Sequence, residues 1–300
     1  MNLIQYNSMI LRIFCLLSII VAKEVKPIDS QTAETLKIYS KDRDYYNLFG
    51  ENLVYNIEGP CVLHIYSRLA FPELTKKPKP YQFSVKLTSE EFTDTLIIDN
   101  HFREDPNVSS LEHPKYSYTS SGKDVINVPK GKHIIELSTT DNKSKVLVRV
   151  ISRPFKSNRK IDNPILNMKN DIDKMILKKN NDENIQYFSL VAEDMKNKLF
   201  FDIEGPQVIK ILSRTSVLNS DKRQYYQFKV RQDGKLIATY HMFAQKSNYW
   251  RLLLPDKKTG DAVSVSRTSY INVPKGSHDY EIELVSPKQK NIFFRIKQEK

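Results

Sequence analysis

Glycine is scarce in this chain, with 8 among 300 residues. Loops that cradle phosphate groups depend on glycine, and neither a Walker loop nor a Gly-x-Gly-x-x-Gly turn occurs. Cysteine is scarcer still, represented by Cys15 and Cys61 alone. No Cys/His cluster at zinc-ligand spacing can be assembled, so neither metal nor cofactor is expected. His-Glu-x-x-His and Gly-x-Ser-x-Gly are missing too, which removes the common zinc-protease and serine-hydrolase signatures. The histidines, His64, His101, His113, His133, His241 and His278, form no close pair at ligand spacing.

What is present is a repeat. Ile57-Glu58-Gly59-Pro60 returns as Ile203-Glu204-Gly205-Pro206, Ser67-Arg68 as Ser213-Arg214, and Tyr81-Gln82-Phe83 as Tyr226-Gln227-Phe228. Ile126-Asn127-Val128-Pro129-Lys130-Gly131 returns as Ile271-Asn272-Val273-Pro274-Lys275-Gly276, with His133 and His278 two residues beyond. Matches in one order predict an internal duplication. The period is far longer than the roughly 20–50 residues of solenoid units, which points to two globular modules, each able to enclose a core.

Apolar residues alternate with polar ones in both copies: Tyr81, Phe83, Val85 and Leu87 in the first, Tyr226, Phe228 and Val230 in the second. Val146, Val148 and Val150 correspond to Ile292, Phe294 and Ile296. Period two with one buried face predicts antiparallel sheet. Glu58-Gly59-Pro60 reads as a break between two strands, Val128-Pro129-Lys130-Gly131 as a type I turn, and Asp233-Gly234 as a tight hairpin. Between the copies, Ile165, Met168, Ile172, Met175 and Ile176 recur at helical spacing, with Asn163-Pro164 as a helix start. The expected fold is all-β: two tandem homologous antiparallel β-sandwich domains, 23–155 and 184–300, joined by a linker, 156–183, carrying a short amphipathic helix.

Ile10 to Ala22 is apolar except for Arg12 and Ser18, and charge follows from Lys23. A basic residue, a short apolar run and a terminal small residue predict a secretory signal peptide over 1–22, hence an exported protein, periplasmic, surface-bound or secreted. The run is too short to span a bilayer, which takes about 20 apolar residues. With it removed, Cys61 stands alone, no intramolecular disulfide is possible, and burial must supply stability. Gln207 aligns with Cys61, so the thiol is no shared functional group. The formal net charge of +12 favours encounters with anionic surfaces, although the charge is dispersed along the chain.

Glu58 with Arg68 and Glu204 with Arg214 are the ionic groups present in both copies. An ion pair or a backbone-capping arginine accounts for them structurally; arginines facing a groove would instead hold an anionic or hydroxylated ligand. Tyr116, Tyr118, Tyr249 and Trp250 fall in segments read as loops, where aromatic faces stack on sugars or anchor proteins. His133 and His278 are read as strand-start residues bonded to backbone. The run Val-Pro-Lys-Gly-x-His followed by alternating apolars resembles the hairpin of extracellular β-sandwich modules, including PEGA-type domains and some carbohydrate-binding modules, over about a dozen residues per copy.

These features predict a non-catalytic binding or scaffolding protein of the cell envelope, with a protein or glycan partner contacted through Arg68, Arg214 and the loop aromatics. Nucleic acid is disfavoured by export, and the basic linker helix offers a membrane contact. The rivals are a carbohydrate-active or other hydrolase with an acidic site, and a structural subunit of a surface assembly.

Overall fold

The computed structural model describes residues 22–299 apart from 29–31, 51, 73–79, 140–143, 155–160, 181–182, 194–196, 218–222 and 257. The expected signal peptide, save Ala22, lies outside the described residues. Strands of the first half are β1 (Lys23–Val25), β2 (Glu34–Ile38), β3 (Lys41–Asn47), β4 (Leu53–Pro72), β5 (Tyr81–Thr88) and β6 (Thr93–Asn100). They continue with β7 (Val108–Ser110), β8 (Tyr116–Tyr118), β9 (Gly122–Thr139) and β10 (Lys145–Pro154). The second half contains β11 (Ile161–Pro164), β12 (Lys174–Lys179), β13 (Glu183–Leu190), β14 (Lys198–Val217) and β15 (Gln224–Gln232). It ends with β16 (Lys235–Ala244), β17 (Lys246–Leu253), β18 (Thr259–Ser264), β19 (Arg267–Ser286) and β20 (Ile292–Glu299). Among the described residues there is no helix.

Two sequence readings are corrected here. Glu58-Gly59-Pro60 does not separate strands, and Val128–Gly131 does not reverse the chain: both lie inside the long strands β4 and β9, which run side by side through a shared bend. The register shifts between Gly59 and Cys61, as it does between Gly205 and Gln207 where β14 meets β19. Proline has no N–H to give the ladder, so a paired strand containing it must bulge. A Cβ on Gly59 would collide with the carbonyl oxygen of Pro129, and one on Gly205 with that of Pro274. Glycine is therefore required for backbone to cross backbone at the bend.

The bend carries each strand pair from one layer to the other. Before it, residues 53–59 of β4 and 131–137 of β9 join β5 and β6; after it, 61–70 of β4 and 122–128 of β9 join β10 and β1. Strands that change layer at a bulge make the corners of a two-layer β structure. The same arrangement recurs with β14, β19, β15 and β16 in one layer and β14, β19, β20 and β13 in the other. Asp233 and Gly234, at φ 50 and 75, close the β15–β16 hairpin as expected.

Among the described residues of 156–183 the expected helix is absent, and the membrane contact read from it falls with it. Ile161–Pro164 pairs with β20 and Lys174–Lys179 pairs with β13 and β17. Between them the extended chain lays Ile165, Met168 and Ile172 against the second core. Met175 and Leu177 turn inward while Ile176 is exposed, so period two prevails over the helical spacing read from the sequence. Backbone pairing to waiting strand edges outweighs the weak helix preference of this β-branched stretch.

Each half surrounds an apolar cluster, one built on Tyr55, Phe83, Ile65 and Val148, the other on Phe201, Phe228, Ile211 and Phe294. The halves are not separate bodies. Asp124, Val125 and Ile126 of β9 pair in parallel with Thr239, Tyr240 and His241 of β16, splicing one layer of the first half to one layer of the second. Alternate side chains then serve opposite cores: Val62 and Val125 pack into the second, Tyr225 and Phe243 into the first.

Candidate functional site

Ser-Arg and Tyr, repeated in the sequence, build one clasp in each half. Ser67 Oγ meets Tyr81 Oη at 3.1 Å, and Ser213 Oγ meets Tyr226 Oη at 2.8 Å. Thr119 Oγ1 accepts from Leu69 N at 3.0 Å, as Ser264 Oγ accepts from Thr215 N at 3.0 Å. The arginines then donate to the carbonyl oxygens of those same residues, Arg68 to Thr119 and Arg214 to Ser264 (2.7 Å). Both are buried, at 5 % and 6 % exposure. Arg68 adds Asp105 at 3.4 Å; Arg214 adds Tyr187 Oη at 3.3 Å and lies 4.4 Å above the Trp250 ring. Such a guanidinium fastens a crossing chain to the sheet.

Glu58 stands opposite Lys132, ten residues along β4 from Arg68, so the two do not pair; Glu204 stands opposite Ser277 in the same way. Nor are the aromatics on loops. Tyr116 and Tyr118 form β8, and Tyr249 and Trp250 lie in β17. Tyr118 is fully buried with Oη donating to Glu34 at 2.5 Å, and Tyr116 is half-buried beneath Lys145. Trp250 packs with Leu177 and Phe293. Tyr249, 61 % exposed, is the member of the set that remains open to a partner.

The repeated histidines lie just beyond the bend. His133 is buried, with Nε2 3.1 Å from the Pro129 carbonyl and its ring 5.8 Å from Phe92. His278 Nε2 lies 3.3 Å from the Lys275 carbonyl, and its Nδ1 holds Asp233 at 2.8 Å. That carboxylate raises His278 above the ordinary imidazole range. Beside His133 opens a recess of about 870 Å³ bounded by Glu58, Ser89, Glu90, Lys132 and Ile134.

A second depression, of about 670 Å³, lies where the halves meet. The β5–β6 edge of the first half gives Gln82, Ile97, Asp99, Asn100, His101 and Phe102; the outer face of β15 and β16 gives Gln227, Lys229, Arg231, Leu236 and Thr239. The junction beneath it is well fastened. His241 Nε2 meets Asp124 Oδ1 at 2.9 Å, both buried, while Nδ1 meets Tyr225 Oη at 2.8 Å. Arg223 binds Asp94 at 2.9 Å and stacks on Phe92 at 3.6 Å. Burial raises Asp94 and lowers Arg223, each partly offset by the other's charge. Asn100 donates to Ser67 Oγ at 3.0 Å, tying the groove wall to the clasp.

Among the described residues no group of three or more His, Cys, Asp or Glu could hold a metal ion, and no helix is long and apolar enough to cross a membrane. No family model matches the chain, and no curated protein matches it. Solved structures do align. PNGF-II covers 100% of this chain and 68% of its own at 10% identity and TM-score 0.23. A tandem CBM22 pair of Xyn10C from Paenibacillus barcinonensis covers 92% and 90% at 9% identity and TM-score 0.25. PNGase F, a glycosylasparaginase from Flavobacterium meningosepticum, covers 93% and 95% at 8% identity and TM-score 0.24. Similarity this low carries no information on ligand or activity.

Proposed function

We propose that the chain is an exported, non-catalytic binding protein of the cell envelope, built from two related modules, that holds a glycan in the groove between its halves. The groove carries this reading: both halves contribute to it, and its wall mixes amides, charges and the Phe102 ring. Planar polar side chains beside an aromatic face suit a hydroxyl-rich, weakly charged polymer. Export rests on the apolar run from Ile10 to Ala22. Arg68, Arg214 and Tyr118 are withdrawn from the contact set because they are buried.

The test is retention on an array of envelope polysaccharides. Gln82→Ala and Lys229→Ala, each removing one polar contact, should weaken binding about 5–10-fold apiece. Equal retention of wild type and both variants, or none by wild type, overturns the proposal. A hydrolase is the second reading, because Glu58 and Glu90 share the recess beside His133. Product release abolished by Glu58→Gln and Glu90→Gln would establish it instead.

A further inference from the structure

The spliced layer has a second face, opposite the groove. Along β4 the side chains of Val62, His64, Tyr66 and Arg68 point away from the first core. Their ladder partners on the same face are Arg153, Ile151, Arg149 and Leu147 from β10, and Asn127, Val125 and Lys123 from β9. At one end this face is covered by Leu36, Tyr45 and Tyr118; at the other, Val62 and Val125 enter the second core. Between those covers lies a basic belt: the neutral His64 flanked diagonally by Lys123 and Arg153, with Arg149 beyond Tyr66. Diagonal cross-strand neighbours sit about 7–8 Å apart, within reach of long side chains.

Arg149 is neutralised by Glu24 at 2.7 Å. Lys123, Arg153 and His64 have no carboxylate partner among the described residues, although Asp124 is adjacent in sequence; its side chain points to the other face and binds His241. His64 Nδ1 and Arg153 Nε are buried without a hydrogen-bond partner. Burial first, then the neighbouring cations, pushes His64 down to about 3 and Lys123 down to about 8. Two partly buried cations, Lys123 and Arg153, beside a neutral imidazole with an unpartnered nitrogen are costly unless something neutralises them.

We propose that this belt is a binding site for a tetrahedral oxyanion, sulfate or phosphate, held by Lys123, Arg153 and His64. Donors from three strands approach such a group from different directions, which suits a tetrahedron better than a planar carboxylate. The site is independent of the groove, since it lies on the opposite face of the spliced layer.

The experiment follows the His64 ring by NMR while inorganic sulfate or phosphate replaces chloride at constant ionic strength. Saturable shifts are expected, with the His64 pKa moving up from about 3. Lys123→Gln and Arg153→Gln should weaken binding at least about 10-fold, the usual scale for a charge-assisted contact. In chloride both should be no less thermally stable than wild type, because repulsion is relieved. Lys130→Gln, an exposed control, and Lys229→Ala, in the groove, should leave binding unchanged. A sulfated disaccharide and glycerol phosphate separate the sources: the ester that competes identifies a sulfated glycan or a phospholipid headgroup, and binding of free ions alone identifies a soluble anion. Absence of saturation, or equal affinity in Lys123→Gln, overturns the site.

Discussion

His133 and His278 occupy the same step beyond the bend in the two halves, and both reach a backbone carbonyl within the Pro-Lys-Gly segment. Their other nitrogens differ. His278 Nδ1 is held by Asp233, the first residue of a tight β15–β16 hairpin. His133 Nδ1 is buried without a partner, because the β5–β6 connection carries Ser89, whose hydroxyl caps the amides of Glu91 and Phe92 instead. Near His278 in the second half, Lys169 binds Asp202 and Asp279 beside a smaller recess of about 270 Å³ lined by Phe200, Phe201 and Tyr280. The bend and the core of the clasp are thus shared by both halves, while the surface beside the histidine is a wide recess in one and carries exposed ion pairs in the other. Shared residues serve the scaffold; divergent ones set what each half can meet.

The comparison is broken most severely at the bend. Gly59→Ala and Gly205→Ala should each cost about 4 kcal/mol or more, as a side chain there must displace backbone. Urea unfolding followed by circular dichroism measures it, and a loss under 1 kcal/mol at either site would show that the crossing is looser than described.

Arg68→Met and Arg214→Met come next. Each strands a buried carbonyl and should cost about 2–3 kcal/mol. The second also removes a stacked cation from Trp250, the single tryptophan, so its emission should change while that of Arg68→Met stays as in wild type. Indistinguishable spectra would erase this difference between the clasps.

The smallest effect concerns His278. Its raised pKa contributes stability that is complete below the unfolded value of 6.5 and is lost as pH rises through the folded value. Asp233, lowered mainly by the same bond, contributes above its unfolded 3.8 and loses that contribution on acidification. NMR titration should place His278 above 6.5, and Asp233→Asn should return it toward that value. An unchanged His278 titration in Asp233→Asn would remove the carboxylate from the account.

Much of the scaffold was legible because it is local. Alternation at Tyr81–Leu87 and Tyr226–Val230 places inward and outward faces correctly, and Asp233-Gly234 marks its hairpin. What the arginines do was not legible, since their acceptors are main-chain carbonyls about fifty residues away, which no side-chain pattern announces. Pairing Glu58 with Arg68 failed because Gly59-Pro60 bends a continuous strand and leaves the two ten residues apart along it. The linker misled through Ile165, Met168 and Ile172, whose spacing fits a helix as well as an extended chain lying on a core. The groove and the cationic belt both depend on β9 meeting β16, a parallel pairing with no hairpin or turn to signal it.

That pairing also leaves each half with a strand edge that the other covers. Cutting the chain between Pro154 and Ile161 would bare one edge of β9 and one of β16, each with unmet amides beside an apolar side chain, Val125 or Tyr240. Such edges recruit other chains. Fragments expressed apart would therefore be prone to clump or to find each other again.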